Sequence, residues 1–406
     1  MRWLHEVKLY PNKSQADKLT FMLHVTRDLY NALQQRRDAW NMRRLSITHR
    51  AQYAELTALR SDSPRMRSVY RELEDAALRR LDLAFRASFR RNKRGEKAGF
   101  PRYKPARQWR QLEFPHGDRA LKLDARQKRV TIPGVGSVRL RKGREIPEYG
   151  RAFVLVKNDE WFAVFECDRE PEPLAPTGKS VGLDRGIRVL AALSDGEKIP
   201  NSKIVERNKA RVTRLQREVE RRTQRDARGR VRNRRDPKRR DAVRKLARAK
   251  QRERNARRDA LHKATHKLVH EYDTIAIEAL NVRNMMRSAK GTVEAPGRNV
   301  RAKAGLNRAI ADAGWSTLVT LLREKASNAA RAIVEVSARN TSRTCPCCGL
   351  VSAKNRKGSL FRCVGCGHTD DADVNAAKII LARAQTGARE SALSSGDARL
   401  SHHDDG

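Results

Sequence analysis

The sequence predicts a multidomain α+β protein. A helical bundle and a small antiparallel β-barrel or sheet come first, followed by an α/β domain with an inserted zinc ribbon. The spacing of apolar residues changes along the chain, from helical three- and four-residue intervals to short strand-like runs. Five of the six cysteines also fall between residues 345 and 366. A chain of 406 residues is long enough for about two to four modules, each with a modest core.

The chain is strongly basic. It carries 89 Lys and Arg against 47 Asp and Glu, for a formal net charge of +42. Such an excess requires a polyanionic partner, and nucleic acid is favoured over a membrane. No stretch approaches the roughly 20 apolar residues that span a bilayer, and the first residues lack the apolar core of a signal peptide. Clustered cysteines favour a metal site over secreted disulfides, so we expect a reducing cytoplasm. The sequence does not predict the oligomeric state.

The N-terminal half divides into three predicted segments. Residues 1–13 contain an alternating strand that ends at Pro11, and residues 14–98 form a helical module. Residues 99–176 hold four strand-like runs broken by Pro and Gly. A stretch rich in proline, residues 169–180, cannot continue a strand, and we expect the main domain boundary within it, near residue 177. The helical module has apolar residues at helical spacing: Leu19, Leu23, Leu29, Leu33, Leu73, Leu78, Leu81 and Phe85.

The C-terminal half predicts an α/β domain over residues 177–340 and 370–385. Its apolar runs VGL, TIAIEAL and AIVEV are continuous, as expected for strands of a sheet covered on both faces. Residues 386–406 are polar and aperiodic, which predicts a disordered tail.

A basic helical hairpin is predicted within this domain, over residues 203–258. It holds 25 Lys or Arg among 56 positions, with helix breaks at Gly229 and Pro237. A solvated, charged hairpin would be ordinary. The excess charge is nevertheless greater than solubility requires, which favours a surface that contacts phosphates.

Two C-x2-C pairs predict a structural zinc site in a ribbon over residues 341–369. Cys345 and Cys348 form the first pair, Cys363 and Cys366 the second, and fourteen residues separate them. Four thiolates in this pattern bind one tetrahedral Zn²⁺ ion. A glycine follows each pair, at 349 and 367, where a positive φ supports the tight turn. Cys347 offers a C-x-C alternative through Cys345.

Three carboxylates stand at positions that suggest a second metal site. Asp184 and Glu278 each end an apolar strand, although a single residue of this kind is more typical of a turn. Asp373 follows Asp370 and Asp371 at the start of an Ala-rich helix, where an N-cap would be the ordinary interpretation. If that helix begins over the two strand ends, Asp184, Glu278 and Asp373 could hold two Mg²⁺ or Mn²⁺ ions roughly 3.5–4 Å apart.

Several motifs give the chain a resemblance to a known family along nearly its whole length. They are LYP at 9–11, PRYK at 101–104, GLDRG, IAIEAL, TSRTCPCCG and DVNAA. Together they resemble TnpB, the OrfB-type proteins of insertion sequences, and the related compact type V CRISPR effectors. The resemblance implies an RNase-H-like (RuvC) nuclease domain in which Asp184, Glu278 and Asp373 are the catalytic, metal-binding triad. It also implies guide RNA and target DNA as partners.

The chain departs from the family pattern at Glu324, Ala330 and Arg343, where Tyr, Gly and Gln are expected. These departures leave the three carboxylates and the four paired cysteines intact. Two alternative functions stay open. One is an RNase-H-like transposase that transfers strands without RNA, and the other is a zinc-ribbon protein that binds nucleic acid without cleaving it.

Overall fold

The computed structural model forms two compact units, Met1–Glu170 and Pro171–Gly406. The backbone is described for residues 2–42, 47–124, 126–141, 143, 145–168, 170–291, 295 and 297–400, and side chains for these residues except 2, 38–42 and 388–400. The division falls inside the proline-rich stretch, a few residues before the expected position near 177. No helix in the described part of the chain is both long and apolar enough to cross a bilayer.

Unit 1 combines a helical layer with a seven-stranded antiparallel sheet. The strand order is β2-β6-β7-β1-β5-β4-β3. The elements are β1 (Arg2–Tyr10), α1 (Lys13–Met42), α2 (His49–Asp62), α3 (Pro64–Arg67), α4 (Arg71–Lys93), β2 (Gln111–Phe114), α5 (Gly117–Ala120), β3 (Lys122–Leu123), β4 (Arg129–Ile132), β5 (Gly136–Leu140), β6 (Tyr149–Lys157) and β7 (Glu160–Asp168).

The N-terminal strand is a central strand of this sheet. The sequence predicted a strand within residues 1–13 without indicating its neighbours, and β1 pairs with β7 along its length and with β5 at its end. Its side chains alternate as expected, with Val7 and Leu9 buried in the core. All eight apolar residues singled out in the helical module are buried in that same core.

Unit 2 contains a five-stranded sheet in the order β10-β9-β8-β11-β12, covered by helices. Strands β8, β9 and β10 are antiparallel neighbours, whereas β11 runs parallel to both β8 and β12. Three short strands form a separate sheet, β13-β14-β15. The elements are β8 (Ser180–Arg185), β9 (Val189–Leu193), β10 (Lys198–Pro200), α6 (Ile204–Arg221), α7 (Pro237–Glu271), β11 (Thr274–Glu278), α8 (Val282–Met285), α9 (Val300–Ala313), α10 (Trp315–Asn328), β12 (Ala332–Val336), a 3-10 turn (Ala353–Asn355), β13 (Arg356–Lys357), β14 (Leu360–Arg362), β15 (Thr369–Asp371) and α11 (Ala372–Leu400).

The basic region forms the two antiparallel helices α6 and α7. The second begins at the expected break, because Pro237 occupies its first turn and the Asp236 side chain accepts hydrogen bonds from two amides of that turn. Gly229, in the connection, has φ +71°.

The last helix, α11, is longer than predicted. Its backbone is helical beyond residue 386, where the sequence predicted a disordered tail. The side chains from residue 388 onward lie outside the described residues.

One departure from the family pattern falls at a strained position. Ala330 follows the end of α10 with φ +54°, in the left-handed region where the family pattern has glycine. A side chain in that conformation costs about 1–2 kcal/mol relative to ordinary helical backbone.

Candidate functional site

Asp184 and Glu278 lie at neighbouring strand ends in the centre of the five-stranded sheet. Strands β8 and β11 are parallel, and their register pairs Leu183 with Ile277. The two carboxylates follow those paired residues directly. Asp184 is half-buried, and Glu278 is only 7% exposed.

Helix α11 carries Asp373 in its first turn. The N-cap role, which was the ordinary interpretation of Asp373, belongs instead to Asp371. Asp371 Oδ1 accepts hydrogen bonds from the amides of Asp373 (3.1 Å) and Val374 (3.2 Å). The carboxylate of Asp373 is therefore free of the capping role and interacts with other groups.

A close helix–strand contact fixes α11 over β8. A Cβ atom at Gly182 would lie 2.0 Å from the carbonyl oxygen of Ala377 and 2.8 Å from the amide nitrogen of Leu381. Only a residue without a side chain allows this approach. Buried Asn375 also donates to the carbonyl oxygen of Thr344 (3.1 Å), which links the helix to the first cysteine pair. Gly182 of GLDRG and the Asn-Ala-Ala of DVNAA thus both hold α11 in place, the first against β8 and the second against the first cysteine pair as well.

The charges of the three carboxylates act on one another. The pKa of Asp184 is raised from 3.8 to about 7, first by burial and then by the negative charges of Glu278 and Asp373. Arg356 and Arg185 oppose this shift only in part. The structure therefore brings the three sequence-predicted carboxylates within electrostatic reach of one another, in a site with an excess of negative charge.

Three further side chains belong to this site and were not predicted from the sequence. Thr341 Oγ1 donates to Glu278 Oε1 at 2.5 Å, Arg356 Nη2 donates to Asp373 Oδ1 at 2.8 Å, and buried Arg185 donates to the backbone carbonyl oxygen of Glu278. Thr341 and Arg185 stand inside quoted motifs, TSRTCPCCG and GLDRG, so a signal was present. Arg356 lies outside every motif.

The four paired cysteines form a compact cluster. The Sγ atoms of Cys345, Cys348, Cys363 and Cys366 all lie within 4.8 Å of one another. Two pairs, 345 with 366 and 348 with 363, are 3.5 Å apart. A Zn–S bond of about 2.3 Å places tetrahedral sulfurs roughly 3.8 Å apart, so this cluster could hold a zinc ion. Among the described residues, no other group of three or more such ligand atoms is this tight, and the three carboxylates are more widely spread.

The two cysteine turns have matching geometry. Gly349 and Gly367 have φ +73° and +74°, as predicted, and their amides donate to the carbonyl oxygens of Cys345 and Cys363. The amide of Cys366 points at the Cys363 sulfur, and such donors lower the pKa of that thiol to about 6. A low thiol pKa favours the thiolate that binds metal. Cys347 lies outside the cluster, so the geometry favours the C-x2-C pair over the C-x-C alternative.

Comparisons with known proteins match both halves of this site. Residues 162–289 match the OrfB_IS605 family model, described as "Probable transposase", and residues 315–380 match the "Cas12f1-like, TNB domain" model. An Escherichia coli (strain K12) protein named "Putative RNA-guided DNA endonuclease InsQ" is 35% identical over 309 residues, which cover 75% of this chain and 72% of that relative. The chain belongs to the OrfB (TnpB) family.

A second relative of this OrfB-family chain aligns over more of its length. A Streptomyces pristinaespiralis protein named "Putative RNA-guided DNA endonuclease" is 30% identical over 392 residues, which cover 92% of this chain and 87% of that relative.

The similar solved structures include CRISPR effectors. CasPhi-2 (Cas12j) bound to crRNA has a TM-score of 0.44 and 12% identity, covering 94% of this chain and 97% of its own. A Cas12f1–sgRNA–target DNA complex has a TM-score of 0.32 and 14% identity, covering 94% and 99%. Both TM-scores are below 0.5.

Proposed function

We propose that this chain is a transposon-associated, RNA-guided DNA endonuclease that hydrolyses phosphodiester bonds at Asp184, Glu278 and Asp373. The observation that carries the proposal is the carboxylate cluster, in which burial and like charge raise the pKa of Asp184 to about 7. Grouping buried carboxylates is destabilising unless cations or donors compensate them. A carboxylate whose pKa is shifted this strongly is typical of a functional site.

The sheet order supports an RNase-H-like, RuvC-type assignment for unit 2. Three antiparallel strands come first, and two later strands run parallel to the first of them. The three carboxylates then stand on the first strand, at the end of the fourth strand and at the start of the last helix. The antiparallel sheet of unit 1 is compatible with the small barrel that the sequence predicted.

The chemistry of the cluster fits divalent metal ions bound by these three residues. All three offer carboxylate oxygens, the ligands that Mg²⁺ prefers. When bound, two such ions lower the pKa of an attacking water and stabilise the leaving oxygen of a phosphodiester.

Neighbouring side chains orient the carboxylates and offset part of their negative charge. Thr341 occupies Oε1 of Glu278 and orients that carboxylate, while Arg185 holds the strand end through the Glu278 backbone. Arg356 pairs with Asp373 and offsets part of the negative charge. Zinc in the cysteine cluster would stabilise the ribbon whose last strand, β15, leads directly into Asp373.

Guide RNA and target DNA are the partners that the relatives' names and the charge of the chain support. The α6–α7 hairpin belongs to a region with 25 Lys or Arg and seven Asp or Glu over residues 203–258. Such a surface binds phosphates without reading sequence, and base pairing with a guide supplies specificity. Action on DNA also fits a cytoplasmic location.

The experiment is to express the chain from its native locus and sequence the RNA that copurifies with it. The purified complex is then mixed with plasmids that do or do not match that RNA, with and without Mg²⁺. We expect Mg²⁺-dependent cleavage of the matching plasmid alone.

A second experiment, with RNA-free protein and transposon ends, tests the transposase alternative, which the description of the matched family model favours. Strand-transfer products from pure protein and transposon ends without RNA would support the transposase and overturn the guided nuclease.

A further inference from the structure

Three exposed aromatic side chains lie in unit 1, one at the end of α4 and two in the segment 99–104. Phe89, Phe100 and Tyr103 are 46%, 47% and 52% exposed. Phe89 and Phe100 pack on the buried ring of Phe85, with centroid separations of 6.0 and 5.9 Å, and meet each other edge to face at 6.1 Å. These two rings are thus supported from below while about half of each side chain faces solvent.

The segment that presents Phe100 and Tyr103 is held in place by side chains of α1 and α4. Tyr103 itself donates to Gln35 Oε1 at 2.8 Å. An exposed ring on a fixed backbone loses little conformational entropy when it binds a ligand. The backbone is held by hydrogen bonds from Ser88 Oγ to the Gly99 carbonyl oxygen (3.0 Å), from Gln34 Nε2 to that of Pro101 (2.9 Å), and from the Lys104 amide to Asn31 Oδ1 (2.8 Å).

The surroundings of these rings are strongly positive. Residues 86–107 include nine Lys or Arg and a single acidic residue, Glu96, and every one of the nine except Lys104 is exposed. Glu96 pairs with Arg91, and Asp82 pairs with Arg86. These two ion pairs neutralise only two of the nine positive charges. Apolar rings within such a field suit a partner that combines flat apolar surfaces with a polyanionic backbone.

We propose that Phe89, Phe100 and Tyr103 form an aromatic platform that stacks unpaired nucleobases of a single-stranded nucleic acid, while the surrounding Lys and Arg bind its phosphates. Bases inside a duplex have both faces covered, so aromatic rings reach only single-stranded bases or duplex ends. The inference rests on the proposed function, which gives this chain an RNA and a DNA strand to hold. RNA and DNA present the same base and phosphate chemistry here, and the test distinguishes them.

The test measures binding of the full chain to labelled oligo(U), to oligo(dT) and to a blunt duplex, over a range of salt concentrations. The variants are Phe100→Leu and Tyr103→Leu, which keep apolar volume and remove the ring. Tyr103→Phe is the conservative variant. Tyr53→Leu is the matched control, because Tyr53 is an aromatic residue on α2 that is 44% exposed and lies under Arg71.

We expect Phe100→Leu and Tyr103→Leu each to weaken single-strand binding about tenfold, as is usual for loss of one base–aromatic stack. The slope of log Kd against log salt should stay unchanged, because no phosphate contact is lost. Tyr103→Phe and Tyr53→Leu should bind like the wild type. A larger effect on oligo(U) than on oligo(dT) assigns the platform to RNA, and the reverse assigns it to DNA.

Wild-type affinity in both leucine variants would overturn the proposal. The leucine variants are also tested against inorganic polyphosphate and poly-glutamate, which carry negative charge without bases. If the variants lost as much affinity for polyphosphate as for the oligonucleotides, the proposal would be overturned. A loss of affinity for poly-glutamate alone would also overturn it and would indicate an acidic protein partner. Tyr103 is the most exposed ring of the three, so Tyr103→Leu is the variant that disturbs folding least. It still tests the proposal if Phe100→Leu fails to fold. A wild type that binds oligonucleotides without guided cleavage would contradict the proposed function alone. Guided cleavage with unaffected platform variants would contradict the platform alone.

Discussion

Arg356 Nη2 donates to Asp373 Oδ1 at 2.8 Å, which joins the first strand of the cysteine-containing ribbon to a carboxylate of the candidate site. The guanidinium also lowers the pKa of Asp184, against the larger effects of burial and of the neighbouring carboxylates. A positive side chain and a metal ion would therefore compete for the same negative charge.

Arg356→Gln tests this competition. Removing the cation should lower the Mg²⁺ concentration for half-maximal cleavage about threefold to tenfold, since a partly exposed ion pair contributes on the order of 1 kcal/mol. The metal-free protein should also melt at a lower temperature. Arg356→Lys, which keeps the charge, is the control for both measurements. An unchanged Mg²⁺ midpoint in Arg356→Gln would show that this arginine does not compete with metal.

Asp184→Asn should stabilise the metal-free protein at high pH. The pKa of Asp184 is about 7 in the folded state, above its ordinary value of 3.8, so the folded state binds the proton more tightly than the unfolded state. This group therefore supports folding below about pH 4, and its contribution is lost as pH rises through 7. We expect a gain on the order of a few kcal/mol for Asp184→Asn at pH 8 and little change at pH 4. Urea denaturation in EDTA measures the difference in unfolding free energy between Asp184→Asn and the wild type. An equal difference at pH 8 and pH 4 would show that the pKa of Asp184 is not raised by its neighbours.

Gly182→Ala should destabilise unit 2 by about 3 kcal/mol or more, because the new methyl group would meet the backbone of α11. Gly305→Ala is the matched control. It lies inside α9, where a Cβ would have no neighbour within 4 Å, and should be neutral or stabilising by about 0.5–1 kcal/mol. Thermal unfolding followed by circular dichroism compares the two. A Gly182→Ala protein as stable as the wild type would show that α11 does not need this close approach.

Cys363→Ser should remove zinc and, with it, cleavage. Strand β15 belongs to the ribbon sheet and continues directly into α11, so loss of the metal should displace Asp373. Cys347→Ser should keep both zinc and activity, because Cys347 lies outside the cluster. Elemental analysis gives the zinc content, and the plasmid assay gives the activity. Full cleavage by a zinc-free Cys363→Ser protein would show that zinc in the ribbon is not needed to position Asp373.

Much of this arrangement could be predicted from local patterns. Strands β8 and β11 were visible as apolar runs, because most of their side chains are buried in a covered sheet. The same expectation is wrong for β12, an edge strand on which only Val336 is buried. The cysteine cluster was visible because two short turns are enough to define four ligands. Asp184 and Glu278 were found because each one ends an apolar run, whereas Asp373, at the start of a helix, was singled out by the family resemblance.

Other features depend on contacts between distant parts of the chain. Strand β1 looks isolated in the sequence, and its central place comes from pairing with β7, more than a hundred residues away. Arg356 resembles any surface arginine until the ribbon folds it against Asp373. The cap of α11 was assigned to Asp373 as the ordinary interpretation, yet Asp371 fills that role, because three acidic residues within four positions satisfy the same preference. Local patterns could not choose among them.

Guided plasmid cleavage by the wild type, Asp184→Asn and Glu335→Gln, each loaded with the same copurified RNA, tests whether the three carboxylates perform the hydrolysis. Glu335 is an exposed carboxylate on β12 of the same sheet, paired with Arg323, and serves as the matched control. We expect Mg²⁺-dependent cleavage by the wild type and by Glu335→Gln. We expect Asp184→Asn to lose at least about a thousandfold in cleavage rate while it keeps its RNA. Cleavage by Asp184→Asn at the wild-type rate would show that this carboxylate does not take part in hydrolysis.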